Sequence, residues 1–397
     1  MSETKTSLLA HLNPNLSRVQ PTPIRSFDYA ASEIPGIVKL TLGEPDFNVP
    51  KVAKQAAIDS INDNDSHYSA GAGTIALRSA IADFMSDRYN LQYDPQTEIT
   101  VTIGATEAIF VSLFTIIKPG DEVIIPTPTF PLYETTVNLL GGTAVNIDTS
   151  DDGFILTPTK LKQALAQHPN TTAIVLNYPS NPTGAIYNAD QLQDLANIIT
   201  NTNLTVIADE IYSELTYNGH HASIAQFIPE QTIILNGASK SGAMTGYRIG
   251  FMAAPAELSK RLGMVHSIMV TSPSDPAMAA AIPIFNSEAG RQATLAMKDA
   301  YEERRDFLVD QLRQLGFEIA NPNGAFYIFA NLPADQGTDD VDFATRLAHE
   351  GKVAVIPGSY FGPGGKGYLR LSYAASMNDL QLAVARIKDF LTAPKGE

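Results

Sequence analysis

The chain has 397 residues, 44% of them hydrophobic, which is enough apolar material for two domain cores rather than one. Its formal net charge of −15 argues against a nucleic-acid partner, since the sequence also has no run of lysine or arginine. The absence of cysteine excludes disulfides, thiolate metal sites and a cysteine nucleophile, and it fits a cytoplasmic location.

The sequence also lacks the patterns of a membrane protein or a metal-binding protein. Residues 1–20 do not show the basic and then apolar pattern of a signal peptide, and the longest mostly apolar run, Ala108–Ile117, is about half of a membrane span. The seven histidines form no pair at metal-ligand spacing, and the adjacent His220 and His221 are typical of a solvated turn. We therefore expect no membrane span and no metal site.

The first elements predict an arm followed by a ligand-binding turn. Residues 1 to about 35 mix short apolar patches with polar and proline residues, which is typical of a segment that packs on the rest of the protein. Val38–Leu42 predicts a short strand that ends in LGEPDF, where Gly43 lets a ligand approach the backbone; a plain turn is the alternative. Helices are then predicted over Pro50–Asn62 and from Thr74 onward.

From Ile99 to Lys240, short apolar strands alternate with helical segments or long connections. This pattern predicts a mostly parallel sheet covered by helices on both faces, in which ligands bind beyond the carboxyl ends of the strands. Candidate residues at those ends include the turn Gly104–Thr106 and Asp209, which closes a run too apolar to accept a charge without a partner. As an alternative, Asp209 could be an N-cap or edge carboxylate.

The C-terminal part predicts a second, smaller α/β domain. A long charged helix over Glu288–Leu315 is followed by strands, a further helical segment and a closing helix over Met377–Leu391. Arg370 lies within the alternating strand Gly367–Ala374, where an unpaired guanidinium would need an anion. We predict a large domain over residues 49–287 and a small domain over residues 288–397, with residues 1–48 as the arm and part of the small domain.

The most informative stretch is ILNGASKSGAMTGYRIGF, residues 234–251. It places Lys240 directly after a strand, among small residues, and brings Arg248 back to the same region. An amine that can form a Schiff base and an arginine that can bind a phosphate bidentately are what pyridoxal phosphate needs. Spacing alone leaves the alternative of a surface lysine and a structural arginine.

The pattern SK-x-x-x-M-T-G-x-R-x-G resembles the lysine signature of the class I/II aminotransferases, which have fold type I among pyridoxal phosphate enzymes. The resemblance covers nearly the whole chain, with LGEPDF, GATEAI, NYPSNPTG, ADEIY and YLRLS in the family's order. It implies an α/β protein with a large domain, whose mostly parallel sheet lies between helices, and a smaller α/β C-terminal domain. One departure is Gly237, where many relatives have a hydroxyl residue, which leaves Ser239 as the nearby hydroxyl.

The resemblance also implies roles for individual residues. Lys240 would carry the cofactor and later move the substrate proton, with Asp209 keeping the ring nitrogen protonated and Tyr212 assisting. The other implied cofactor contacts are Ala105, Thr106, Ser239 and Arg248 on the phosphate, Tyr68 on the phosphate in the other subunit of a homodimer, Phe130 stacked on the ring with Tyr133 nearby, and Asn181 and Tyr212 on the phenolic oxygen.

For the substrate, the resemblance implies that Arg370 binds the α-carboxylate bidentately, with Gly43 and Asn181 beside it. Without the resemblance, Asn181 would be interpreted as a turn asparagine and Phe130 as a core aromatic residue. The Asn181–Pro182 peptide bond is expected to be cis, with Thr127–Pro128 as a second candidate.

These residues predict a ping-pong aminotransferase, most similar to bacterial aromatic amino acid and aspartate aminotransferases. An aromatic or bulky apolar donor with 2-oxoglutarate as acceptor is expected, because the sequence shows no obvious second arginine for a distal carboxylate. Arg25 could supply that charge, so an aspartate or N-acetyl-diaminopimelate substrate is the alternative. A second alternative is a carbon–sulfur lyase or decarboxylase on the same fold. A third is a catalytically silent regulator, and the intact set of candidate residues disfavours this last alternative.

Overall fold

Helices and strands alternate along residues 6–393, the part of the chain described by this computed structural model. The helices are α1 Thr6–Leu9, α2 Pro23–Ser32, α3 Lys51–Asn62, α4 Ile75–Tyr89, α5 Gly104–Ile116, α6 Leu132–Leu139, α7 Pro158–Gln167, α8 Ala189–Ile199, α9 Ala238–Ser241, α10 Ala256–Val270, α11 Asp275–Asn286, α12 Glu288–Gln314, α13 Asp340–His349 and α14 Met377–Thr392. The strands are β1 Val38–Lys39, β2 Ile99–Ile103, β3 Glu122–Thr127, β4 Thr143–Asp148, β5 Thr171–Asn177, β6 Thr205–Asp209, β7 Thr232–Gly237, β8 Ile249–Ala253, β9 Glu318–Ile319, β10 Tyr327–Asn331, β11 Val353–Ala354, β12 Ile356–Pro357 and β13 Tyr368–Ser372.

The central element is a seven-stranded sheet in the order β2-β8-β7-β6-β5-β3-β4. Strand β8 runs antiparallel to both of its neighbours, and the pairs from β7 across to β4 are parallel. The expected mostly parallel sheet is therefore confirmed. Because β8 runs opposite to the other strands, it begins at the edge of the sheet where the parallel strands end. The residues just before β8 therefore lie close to the residues that follow β6 and β7.

Alternating residues of the strands pack on helices of opposite faces. In β3, Val123 and Ile125 belong to a hydrophobic cluster with buried residues of α5, α6 and α10. Ile124, between them, belongs to a second cluster with buried residues of α7 and α8. Period-two burial with apolar residues on both sides is the expected result for a strand in the middle of a three-layer α/β structure.

The C-terminal part forms a four-stranded antiparallel sheet, β12-β13-β10-β9, against which α12 packs. Strand β1, from the N-terminal segment, pairs with β11, and Val38 and Leu40 are buried in the same cluster as β10 and β13. The N-terminal segment thus contributes Val38 and Leu40 to the same hydrophobic cluster as the C-terminal strands.

The predicted helices over residues 50–62, from 74, over 288–315 and over 377–391 are confirmed within one residue at nearly every end. Two local interpretations are wrong. The strand predicted over Val38–Leu42 ends at Lys39, because the chain leaves β11 and passes to the end of β13, where the Ser372 N–H donates to the Leu40 carbonyl at 2.8 Å. His221 is not solvated: its side chain is 3% exposed, and its Nε2 lies 2.8 Å from Glu210 Oε2.

Strand β8 and the first turn of α5 make an unusually close backbone contact. A β-carbon on Gly250 would lie 2.6 Å from the Ala105 nitrogen and 2.6 Å from the Gly104 carbonyl carbon. Glycine at position 250 therefore sets how near the first turn of α5 comes to β8. Within residues 6–393, no helix is both long and apolar enough to cross a membrane.

We predict that Gly250→Ala destabilises the protein by about 1–3 kcal/mol, because the added methyl group has to push apart two backbone segments. Thermal unfolding of the cofactor-free protein measures the effect. Gly246→Ala is the matched control, since a β-carbon there meets nothing within 4 Å. Equal apparent Tm values for the two variants would show that the close contact relaxes freely.

Candidate active site

The candidate site lies at the carboxyl ends of the parallel strands. Asp209 is the last residue of β6, and Lys240 lies in α9, directly after β7. Arg248 precedes β8 and has a left-handed backbone, with φ of 58°. The short α9 and the turn after it therefore bring Lys240 and Arg248 to one edge of the sheet.

The Lys240 amine donates to the Gly43 carbonyl oxygen at 2.5 Å and lies 5.6 Å from the centre of the Tyr212 ring. Burial lowers the pKa of Lys240 to about 8; Glu44 opposes the shift, and Arg248 and Arg370 add to it. A lowered pKa makes the neutral, nucleophilic amine accessible near neutral pH. This is a suitable state for a lysine that attacks a carbonyl group.

The Asp209 carboxylate is 3% exposed. The Tyr133 hydroxyl donates to its Oδ2 at 2.7 Å, and the Ile211 N–H donates to its Oδ1 at 3.2 Å. Burial raises the pKa of Asp209 to about 6, although both hydrogen bonds oppose the shift. The Phe130 ring lies edge-on to Tyr133, with ring centres 6.0 Å apart. An incoming cation would make the ionised carboxylate more favourable.

The Arg248 guanidinium faces the first turn of α5. The Arg248 guanidinium lies over Gly104, where a β-carbon would come within 2.5 Å of Nη2. The first N–H groups of a helix have no partner within the helix, and Ala105 and Thr106 carry two of them. Ser239 is buried beside Lys240 in α9. Helix N–H groups with an arginine opposite them suit a phosphate.

Arg370 is buried in β13, 3% exposed, without a carboxylate partner among its hydrogen bonds in the described residues. Its Nη1 donates to Asn181 Oδ1 at 3.0 Å and its Nη2 to the Thr41 carbonyl at 2.7 Å. Its Nε is buried without a partner in this part of the chain. The guanidinium lies 4.6 Å from the centre of the Tyr327 ring and 5.0 Å from that of Phe361. Burial lowers the pKa of Arg370, and a carboxylate would satisfy both its charge and its free donor.

Two tyrosines join these groups. The Tyr212 and Tyr327 hydroxyls lie 2.8 Å apart, and a β-carbon on Gly43 would come within 2.8 Å of the Tyr327 hydroxyl oxygen. Burial raises the pKa of Tyr212 well above its ordinary value, so Tyr212 keeps its proton and can donate it in a hydrogen bond. Gly43, Tyr212 and Lys240 therefore lie together.

The structure thus brings all but one of the predicted site residues together: most follow strands of the central sheet, and Gly43 and Arg370 reach them through contacts with Lys240 and Asn181. Tyr68 is the exception, because its side chain is 88% exposed in this single chain. The sequence interpretation missed Thr41, Tyr327 and Phe361. Their signals were slight: Thr41 acts through its carbonyl, and the two aromatic residues appeared as ordinary members of apolar segments. The Asn181–Pro182 and Thr127–Pro128 bonds are cis, as predicted, and Tyr178–Pro179 is cis as well.

These residues fit pyridoxal phosphate. The glycine at position 104 leaves room for Arg248 beside a helix N-terminus, and the Lys240 amine faces a carbonyl rather than a carboxylate. The Arg370 Nε, which has no partner among the residues that the structure describes, is left for a second anion. The combination of a reactive amine, a phosphate site, a buried carboxylate and a buried arginine defines a pyridoxal phosphate enzyme that acts on an amino acid.

Comparison with known proteins gives the family. Residues 35–387 match aminotransferase class I and II. The chain is 40% identical to a probable N-acetyl-LL-diaminopimelate aminotransferase of Bacillus subtilis (strain 168), over 96% of this chain and 95% of the relative. It is 35% identical to aromatic-amino-acid aminotransferase 2 of Thermococcus litoralis, over 97% of this chain and 99% of the relative. The structure of aspartate aminotransferase from Thermus thermophilus with maleate matches with a TM-score of 0.91 at 36% identity, covering 96% of this chain and 99% of that chain.

The chain therefore belongs to the class I and II aminotransferase family, with fold type I and pyridoxal phosphate as cofactor. Its general activity is amino-group transfer. The similar proteins differ in the substrate that their names give, so the side-chain specificity has to be argued from the site itself.

We predict that Asp209→Asn makes the cofactor-free protein more stable at pH 7. The raised pKa of Asp209 means that the folded protein retains a proton, which the unfolded chain releases, between pH about 4 and about 6. The stability linked to that proton is present at low pH and lost as the pH rises through about 6. Asparagine does not titrate, so the variant should gain about 2–3 kcal/mol over the parent at pH 7, with the gain shrinking toward pH 4.

Apparent Tm values of the two proteins at several pH values between 4.5 and 7.5 check this. Asp87→Asn, at an exposed position on α4, is the control for general charge effects. A difference between Asp209→Asn and the parent that does not change with pH would contradict the prediction.

Proposed function

We propose that this aminotransferase moves the amino group of an aromatic or bulky apolar L-amino acid to a 2-oxo acid such as 2-oxoglutarate, by a ping-pong mechanism. The observation that carries the proposal is Arg370, a buried guanidinium whose Nε has no partner within residues 6–393 and whose charge lowers the pKa of the nearby Lys240 amine. Donor and acceptor both have an α-carboxylate, so Arg370 can hold each in turn. Gly43 and Asn181 complete this carboxylate site.

The same geometry supports a set of cofactor contacts. Ala105, Thr106, Ser239 and Arg248 would hold the phosphate, Phe130 would lie against the ring, Asn181 and Tyr212 would donate to the phenolic oxygen, and Asp209 would face the ring nitrogen. When bound, pyridoxal phosphate supplies an electron-withdrawing ring that makes the Cα proton of the amino acid removable. The Lys240 amine takes up that proton and delivers it again, because its lowered pKa suits both steps near neutral pH. Arg370 keeps the substrate from turning while the proton moves.

The preference for a bulky apolar side chain is supported by the aromatic surroundings of Arg370. Phe361 and Phe329 lie in a cluster against which Phe27 of α2 and Tyr360 pack. Arg25, the residue that could bind a distal carboxylate, is exposed on α2. Aspartate and N-acetyl-diaminopimelate are the alternative donors, and a carbon–sulfur lyase is the alternative reaction.

The proposal includes a homodimer with shared active sites. Large apolar side chains are exposed on this single chain, among them Ile268 at 83% and Met264 at 53% on α10. Tyr68, at 88%, would contact the cofactor phosphate of the other subunit. Burial of such residues against a second copy of the chain would remove their contact with water. Sedimentation equilibrium, which measures the mass of the assembly in solution, tests the homodimer.

Two further parts of the proposal concern organisation. We infer a large domain over residues 49–287 and a small domain over residues 288–397 completed by residues 1–48, supported by the central sheet within residues 99–253 and by the burial of Val38 and Leu40 with β10 and β13. We also propose a cytoplasmic location, supported by the cysteine-free sequence.

We predict that Lys240→Ala abolishes turnover and leaves the fold intact, because it removes the reactive amine and the proton carrier together. Lys260→Ala, at an exposed position on α10, is the control and should keep full activity. Borohydride reduction of the cofactor-loaded parent, followed by peptide mapping, should find the cofactor on Lys240. A label on another lysine would end the assignment.

We predict that phenylalanine exceeds aspartate, alanine and N-acetyl-LL-diaminopimelate in kcat/KM with 2-oxoglutarate. Rejection of a wrong side chain has to appear as lost transition-state binding. A tenfold advantage for aspartate or the diamino acid, about 1.4 kcal/mol, would overturn the aromatic preference. Free ammonia measured in a separate assay, with an amino acid that has a carbon–sulfur bond at Cβ and without 2-oxoglutarate, separates the reaction classes, because a transaminase conserves the amino group and a carbon–sulfur lyase releases it together with the thiol.

A further inference from the structure

Asp340, the first residue of α13, is a buried carboxylate outside the cleft described above. It is 2% exposed. Its Oδ2 accepts from the Ser359 N–H at 2.8 Å, and its Oδ1 accepts from the Gly367 N–H at 3.1 Å. The N-cap of α13 is a different residue, Asp339, whose side chain accepts from the Asp342 N–H. Capping of the helix therefore does not explain why Asp340 is buried.

The two N–H groups that Asp340 binds lie at the two ends of one loop, residues 358–367, which we call the glycine loop. The loop is closed tightly on itself, because a β-carbon on Gly365 would lie 2.1 Å from the Gly358 carbonyl oxygen. It is also attached to the large sheet, since the Thr129 N–H donates to the Phe361 carbonyl at 2.9 Å. Asp340 thus fixes both ends of the glycine loop, and Phe361 within the loop contacts Thr129, the residue before Phe130.

The glycine loop connects Asp340 to the substrate-carboxylate arginine in two ways. Phe361 is 1% exposed, and the centre of its ring lies 5.0 Å from the Arg370 guanidinium. Gly367, at the other end of the loop, directly precedes β13, which carries Arg370. A ring face against a guanidinium restricts the plane in which its N–H groups point, and it keeps water away from the charge.

We propose that Asp340 is a positioning residue for substrate binding: by fixing both ends of the glycine loop, it holds Phe361 against Arg370 and so sets the plane of the guanidinium. The inference rests on the proposed role of Arg370 in binding the substrate carboxylate. A carboxylate is required because two N–H donors converge on its two oxygens, whereas asparagine would turn an NH₂ group toward one of them. The negative charge at the first turn of α13 is also favourable.

Asp340→Asn tests the proposal, with Asp342→Asn as matched control. Asp342 lies in the same helical turn and forms an exposed ion pair with Arg346. We expect Asp340→Asn to raise KM for the best amino acid donor about 5–20-fold, with kcat changed less than about twofold, because the carboxylate is held equally in the ground state and the transition state. The control should match the parent in both constants.

Two further readouts separate positioning from simple stability. Amide hydrogen exchange of the cofactor-free protein should become faster in peptides covering residues 358–367 in Asp340→Asn and stay unchanged in Asp342→Asn. The cofactor dissociation constant should be the same in all three proteins. A parallel loss of cofactor affinity would mean a general structural role and overturn the proposal.

A double-mutant cycle with Phe361→Leu tests the route through the ring. If Asp340 acts through Phe361, the effect of Asp340→Asn on KM should fall below about twofold in the Phe361→Leu background. An equal fold-change in both backgrounds, or a KM within about twofold of the parent in the Asp340→Asn single variant, overturns the proposal. If Asp340→Asn does not fold, Phe361→Leu alone decides: an unchanged KM overturns the proposal, and a raised KM with unchanged cofactor affinity supports it.

Arg370→Lys distinguishes failure of this inference from failure of the proposed function. An unchanged KM in Arg370→Lys would remove the carboxylate role of Arg370 and the inference with it. A raised KM in Arg370→Lys together with an unchanged KM in Asp340→Asn would remove the inference alone.

Discussion

A buried guanidinium, that of Arg370, has no carboxylate partner in the described part of the chain, and the architecture of the site depends on it. Arg370 comes from β13, its hydrogen-bond acceptors come from Asn181 after β5 and from Thr41 in the N-terminal segment, and its ring contacts are Tyr327 and Phe361. Leaving such a charge unpaired costs several kcal/mol, which is tolerable only if the surrounding parts hold it firmly and a ligand later neutralises it. Every large part of the chain contributes to holding this one side chain.

The same burial acts in opposite directions on the other two charged groups of the cleft. It lowers the pKa of Lys240 to about 8 and raises that of Asp209 to about 6, so both groups move toward their neutral forms. A ligand that reacts with a neutral amine and presents a protonated nitrogen to a carboxylate would suit both shifts. In the cofactor-free protein, the neighbouring residues thus do not fully compensate the burial of Lys240 and Asp209. Binding of a ligand with these properties should therefore stabilise the protein.

The sequence predicted the secondary-structure elements and the mostly parallel sheet well, because these depend on short-range patterns such as strand periodicity. The roles of the candidate site residues came from the resemblance to the family, since the spacing around Lys240 alone left a surface lysine open. The misses have a common physical cause. Leu40 leaves its strand because of β13, His221 is buried because Glu210 lies opposite it, and Thr41 holds Arg370 through a backbone carbonyl that every residue type has. Such contacts join segments far apart in sequence, or involve no side chain, so no local pattern reports them.

Two parts of the site differ in the length of chain that separates the segments they bring together, and strand β8 is the reason. Because β7 and β8 are neighbours in the sheet, Lys240 and Arg248 lie on the short connection between two paired strands. The Asn181 and Thr41 contacts of Arg370 close loops of 189 and 329 residues. Loop-closure entropy rises with length, and contacts between distant segments slow folding. The pairing that brings Lys240 and Arg248 together thus closes a short stretch of chain, whereas the carboxylate-binding part forms only once segments near the two ends of the chain have been brought together.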